Sequence, residues 1–321
     1  MRDLSQKFLT DLKKGGMLYP ILKAVQENKD FILCFRNEKI DIYYKGGRIF
    51  SLELKNKKYE VCKFDINYAM ENKAKISKIN KFFEENIIAV KNDAKKWVKK
   101  IYYFKDLMDF YFCNSKKENM EKYIQQLIVQ ENNLFKASND TDFFIIDFEY
   151  QTEGNDSSRF DLIGLFWDRN TRKKPKNCKL VIIEVKHGYE NLTGNSGLLE
   201  HLKKADAFLS GKGQKESLKK EMLNLFKQER ELKLLNINAK QEVTEIDPEI
   251  DFIFILAGYN PGNETLSQEL EKMDKEIGNF KTLKKTNIKF AIPSFAGYSI
   301  FKENIKSFQE FQDILKNEKV K

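Results

Sequence analysis

The run Lys179-Leu-Val-Ile-Ile-Glu-Val-Lys-His187 constrains this chain more than any other stretch. Four consecutive aliphatic residues, Leu180 to Ile183, fit a strand apolar enough to lie at the centre of a sheet. The same run ends in an acid and a base, Glu184 and Lys186, flanking Val185. Side chains two apart in a strand share a face. Both charges therefore sit together at one end of a strand whose other positions are built for a core.

The segments around this strand set its context. An amphipathic helix is expected over 119–132, with Met120, Tyr123, Ile124, Leu127 and Ile128 on one face. Strands follow at 143–150 and 159–167, then the central run at 179–187. Helices fit 196–209 and 213–235, a buried strand 251–259, a helix 266–277, and a last strand 288–300 broken at Pro293. The order reads α-β-β-β-α-(α)-β-α-β. Before it, a helix is expected over 4–26, and four short β-patterned runs over 31–35, 39–45, 48–54 and 59–66. Hairpin-length separators such as Gly46-Gly47 make these runs an antiparallel meander. Residues 68–112 read as helical, and a polar stretch near Asn114-Ser115 marks a boundary between parts 1–115 and 116–321.

Charge follows the same division. Of the net +9, all falls in residues 1–115, with 24 basic and 15 acidic side chains; residues 116–321 carry 33 of each. A basic α+β module thus precedes a neutral α/β part, an asymmetry compatible with contact to a phosphate backbone. No apolar run approaches the roughly 18 residues of a membrane span, so no membrane partner is expected. The opening residues lack the apolar stretch of a secretory signal, and the four cysteines include no CxxC pair. A cytoplasmic chain with reduced thiols is expected. Two histidines leave little for a structural zinc site or a Ser-His-Asp arrangement, and Gly211–Ser217 lacks the full phosphate-loop pattern. Tyr43, Tyr44 and Phe50 read as core of the meander rather than as base-stacking residues.

An antiparallel pairing of 159–167 with 179–187 sets the start of the first beside the end of the second. Asp161, which interrupts an apolar pattern, then neighbours Glu184 and Lys186. Glu149 and Asp161 are equidistant from Asn155, so a simple hairpin sets them opposite one another. Three carboxylates and a lysine would converge at one end of the sheet, and such carboxylates ionise together cheaply only around a cation. Oxygen ligands favour a hard ion, Mg²⁺ or Mn²⁺.

Asp161, a 22-residue interval and then Glu184-Val185-Lys186 resemble the signature of the PD-(D/E)XK nucleases, the restriction-endonuclease-like superfamily. The resemblance covers roughly residues 116–260 and implies an αβββαβ core with a mixed central sheet. One departure is Phe160 in place of the motif's proline. The resemblance implies that Asp161 and Glu184 ligate Mg²⁺ (or Mn²⁺), with the Val185 carbonyl as a further ligand. Lys186 would orient or help deprotonate the attacking water. Glu149 stands where some members place an additional acidic ligand, and Glu121 on the 119–132 helix competes for that role. His201, in phase with Leu198, Ala205 and Phe208, reads either as a packing residue or as an accessory phosphate contact. The implied activity is metal-dependent hydrolysis of nucleic-acid phosphodiesters, DNA ahead of RNA, by an endonuclease or an exonuclease. The alternative is a catalytically silent module of the same fold that binds DNA or a protein partner. Many members act as homodimers, and no dimer surface is legible here. The basic loop 169–179 lies at the opposite end of the sheet from these residues and reads as a solvated turn.

Overall fold

Short apolar runs joined by tight turns pair with their neighbours, and the first sheet forms accordingly. The computed structural model describes residues 2–62, 64–114, 120–151, 159–172, 178–188, 191–238, 242–258, 264–291, 297–298 and 300–318. They form two compact units, Met1–Gln126 with Asn224–Leu235, and Leu127–Leu223 with Asn236–Lys321. The expected boundary at Ser115 lies outside the described residues.

In the first unit α1 (Gln6–Leu12) and α2 (Tyr19–Glu27) replace the single expected helix. Gly15 adopts φ +98°, and a Cβ at Gly16 would strike the carbonyls of Thr10 and Asp11, so Gly15-Gly16 end the first helix. The strands β1 (Ile32–Phe35), β2 (Lys39–Tyr44), β3 (Gly47–Lys55) and β4 (Lys58–Val61) form the antiparallel meander. The stretch expected to be wholly helical contains α3 (Lys73–Glu84), then the two-residue strand β5 (Ile87–Ile88) paired on β4, then α4 (Lys91–Asn114). An apolar pair inside a helical pattern gave no period-two signal. Tyr43, Tyr44 and Phe50 are buried, as their strand spacing predicts.

The carboxylate of Asp109 on α4 accepts from Tyr44, Lys45 and Lys105. Burial pushes its pKa up, but these donors outweigh burial and hold it down at about 2, against an ordinary 3.8. A depressed carboxylate contributes stability above its unfolded value and loses it as pH falls through the folded one. We expect a step of destabilisation between pH 4 and 2 in urea melts that Asp109→Asn removes.

The second unit is a six-stranded mixed sheet, ordered β11-β10-β9-β8-β7-β6. Strand β7 (Arg159–Trp167) runs antiparallel to both its neighbours, β6 (Phe143–Gln151) and β8 (Cys178–His187); β9 (Ile246–Ala257) and β10 (Ile288–Ala291) run parallel to β8. β8 is thus interior, with Leu180 to Ile183 fully buried. The helices are α5 (Met120–Val129), α6 (Leu198–Ser210), α7 (Gln214–Glu231) and α8 (Glu264–Ile277), and the division between units falls within α5 and within α7. Of the expected last strand, β10 covers Ile288–Ala291, and the break at Pro293 lies outside the described residues. A further strand, β11 (Ile305–Ser307), and helix α9 (Phe308–Glu318) complete the unit. The spacing of Phe308, Phe311 and Leu315 is helical, and their burial puts Phe290 of β10 in a stack with Phe311, 4.3 Å between centroids.

Polar side chains close the gaps that regular pairing leaves. α5 ends in a π-turn, Gln130–Leu134, that aims Asn132 and Asn133 inward. Asn133 accepts from Ile145 N–H and donates to its carbonyl, beside the point where β6 slips register against β7. Asn132 does the same between Ile300 N–H and the Tyr298 carbonyl. Buried Asp206 of α6 accepts the N–H groups of Lys281, Thr282 and Leu283 at 2.7–2.9 Å, fixing the segment that leads into β10. Removing it leaves three donors without their acceptor, so Asp206→Ala should cost about 2–4 kcal/mol in chemical denaturation. Asp206→Asn keeps the oxygen that serves two of them and should cost about half as much.

Candidate active site

The registers at one end of the sheet bring the expected acids together. Phe148 pairs with Leu162 and Tyr150 with Phe160, which brackets Glu149 opposite Asp161. Leu162 pairs with Ile183, so Asp161 comes level with Glu184 on the neighbouring strand. The alternation that makes Leu180 and Ile182 core residues therefore carries Glu184 and Lys186 onto one face of β8.

These charges are not at a solvated strand end. Asp161, Glu184 and Lys186 are 7 %, 2 % and 3 % exposed. Burying them demands partners, and the partners are visible. The Lys186 ammonium donates to Glu184 Oε1 at 2.7 Å, and His201 Nε2 lies 3.2 Å from the same Nζ. His201 Nδ1 is 3.0 Å from Glu184 Oε1. A neutral imidazole carrying its proton on Nδ1 satisfies all three contacts: Nδ1–H donates to Glu184, and Nε2 accepts from the ammonium. Asp161 Oδ2 accepts the Val185 N–H at 2.9 Å, which fastens the aspartate to the backbone between Glu184 and Lys186.

His201 reaches this pair from the first half of α6, in phase with the buried Leu198 and Ala205. Of the two readings open for His201, packing or accessory phosphate contact, the structure shows contacts to both charged members of β8. Phe160, the departure from the motif's proline, is buried and stacks on Tyr150, with Phe208 of α6 set edge-on at 5.5 Å. A ring there packs α6 against the ends of β6 and β7.

Glu149 is set differently. It has φ +57°, the one positive φ within a strand among the described residues, where a side chain costs conformational energy. Its carboxylate pairs with Arg159, two residues before Asp161 on the same strand face. Burial lowers the pKa of Arg159, but Glu149, then Asp161 and Glu184, outweigh it and raise the value, so one guanidinium stands in the field of all three carboxylates. Arg159 is the functional candidate that sequence reasoning missed; its i, i+2 spacing from Asp161 was the available signal. Glu121 lies in the first turn of α5, in the part of that helix belonging to the first unit.

As donors, Asp161 and Glu184 fit a Mg²⁺-type ion, which takes one or two carboxylates and fills its shell with water and phosphate oxygens. Among the described residues, no three His, Cys, Asp or Glu side chains are grouped to hold a metal ion. Asp161 and Glu184 come level on adjacent strands, while Glu149 is engaged by Arg159. Arg169 and Arg172 of the basic loop serve the fold instead. Arg169 binds buried Asp142 and Glu303, while Arg172 donates to the carbonyls of Trp167, Asn139 and Thr141. The remainder of that loop, 173–177, lies outside the described residues.

No family model, no curated protein and no solved structure matches this chain. Among the described residues no helix is long and apolar enough to cross a membrane.

Breaking a buried pair leaves its partner uncompensated. Lys186→Met should therefore destabilise the protein by about 3–5 kcal/mol in urea melts, and adding Glu184→Gln should recover most of that loss.

Proposed function

We propose that this protein hydrolyses nucleic-acid phosphodiester bonds, DNA ahead of RNA, with a Mg²⁺ or Mn²⁺ ion held by Asp161 and Glu184. The observation that carries this reading is the buried Asp161–Glu184–Lys186 set at the end of adjacent strands. Charges are buried there although the sheet would be more simply built with apolar residues at the same positions. Residues whose burial opposes stability are retained most readily where they perform chemistry.

In this reading Asp161 and Glu184 hold the ion, and the carbonyl of Val185, next to Glu184 on β8, would supply a further oxygen. When bound, the ion would lower the pKa of a water and offset charge developing on the phosphate oxygens. Lys186 has three donors, of which Glu184 and His201 engage two; the third would serve the attacking water or a phosphate oxygen. His201 fixes Lys186 and Glu184 relative to each other, a positioning role that takes up the accessory place expected of it. Arg159 neutralises Glu149 at the rim and is placed to meet a substrate phosphate.

A second reading rests on the same geometry. The engagement of Glu149 by Arg159 suits a catalytically silent module in which the guanidinium satisfies the acids in place of a metal. One experiment separates the two. Supercoiled plasmid, linear duplex and single-stranded DNA are incubated with Mg²⁺ or Mn²⁺ and wild type, Asp161→Asn or Lys186→Gln, each first checked for an intact thermal transition. Metal-dependent cutting that falls at least about 100-fold in both variants supports the nuclease. Equal cutting by all three proteins would mark a contaminant and reject it. Folded wild type that neither cuts nor binds Mn²⁺ in calorimetry would assign the silent module.

A further inference from the structure

The basic excess of residues 1–115 is not used by the proposed site, and the first unit concentrates part of it on one face. Helices α3 and α4 pack through their aromatic residues: Phe82 meets Tyr103 and Phe104, and Phe83 meets Trp97 and Phe104. Along the outside of that seam, lysine ammonium groups rest on rings. Lys75 lies 3.5 Å from the Phe110 centroid, Lys78 4.0 Å from Tyr103, and Lys100 3.9 Å from Trp97. Helical periodicity adds Lys81, one turn beyond Lys78, and Lys96 and Lys99, one turn before Lys100 and Tyr103. All three are exposed.

We propose that this α3–α4 face docks on the phosphate backbone of duplex DNA. Three features argue for that occupant. The ring contacts hold Lys75 and Lys78 in place without cancelling their charge, and neither forms a salt bridge among the described residues. Six lysines outnumber the carboxylates beside them: Asp93 pairs with Lys96 at 3.7 Å, Glu84 lies one turn beyond Lys81, Glu85 acts on Lys100, and Asp106 lies one turn from Tyr103. The face also carries lysine and no arginine. Ammonium groups act as point charges suited to phosphate, and the planar guanidinium fork that gives bidentate base readout is absent from this face. The docking is therefore independent of base sequence and strongly salt-dependent. It gives the first unit a role that does not require the Asp161 site to be active.

The test measures binding of the full chain to a labelled duplex by fluorescence anisotropy, in EDTA, across a series of salt concentrations. The triple variant K75Q/K78Q/K99Q should lower the slope of log affinity against log salt by roughly 2–3, about 0.9 for each phosphate no longer neutralised. Its affinity near 0.1 M salt should fall at least about tenfold. The charge-preserving K75R/K78R/K99R should keep the wild-type slope, which a merely structural role of the lysines would not ensure. K23Q/K55Q/K57Q, at exposed positions on α2 and the β3–β4 turn, should change the slope by less than about 1. Equal losses in both glutamine triples, or no loss in the first, would overturn the proposal. So would a first triple that loses binding to polyglutamate but not to duplex, which would assign the face to an acidic protein. Duplex binding that behaves as expected while Mg²⁺-dependent cutting is absent would reject the nuclease and leave the docking face standing.

Discussion

The buried ion pair of Glu184 and Lys186 is the interaction around which the second unit is arranged. Two opposite charges almost wholly out of water, on the same face of an interior strand, are unfavourable unless each is held by hydrogen bonds in a fixed geometry. That condition reaches outward. It calls for His201, which bridges the pair from α6. It needs Asp161 on the adjacent strand, tied to the Val185 N–H. It also needs α6 seated where Phe208 meets Phe160, so that His201 stays at hydrogen-bond distance.

The rest of the sheet makes that seating rigid. β8 lies between an antiparallel neighbour and a parallel one, and its aliphatic half is sealed on both sides. The irregular points are covered by side chains that imitate backbone: Asn133 beside the β6 register slip, Asn132 at Tyr298 and Ile300, and Asp206 over three consecutive N–H groups. Each replaces a missing strand or turn with a hydrogen bond from a buried polar group, which is why these residues are buried at all. The single strand residue at positive φ among those described, Glu149, lies at the site end of β6.

The first unit solves a different problem. Its sheet is an ordinary meander, and its helices pack through clustered aromatics. Its lysines are placed over those rings, so hydrophobic packing and positive charge share one surface. Lysine stems lie against apolar surface while their ammonium groups remain near water. That permits lysines to outnumber acids along the α3–α4 seam.

Much of this was legible in the chain itself. Period-two alternation fixed the face shared by Glu184 and Lys186, and hairpin symmetry about Asn155 set Glu149 opposite Asp161, as the Phe148–Leu162 and Tyr150–Phe160 pairs bear out. Such local rules work because strand geometry repeats every two residues whatever surrounds it. They failed where long-range packing decides. The Ile87-Ile88 strand exists only because β4 offers an edge, and β11 only because β10 offers another. The engagement of Glu149 by Arg159, the burial of the Glu184–Lys186 pair and the contact of both with His201 depend on neighbouring strands and on how α6 lies over them. A sequence specifies the charges and the strand they stand on. Only the tertiary structure decides which of them water still reaches, because desolvation is a property of everything packed around a group rather than of its neighbours in the chain.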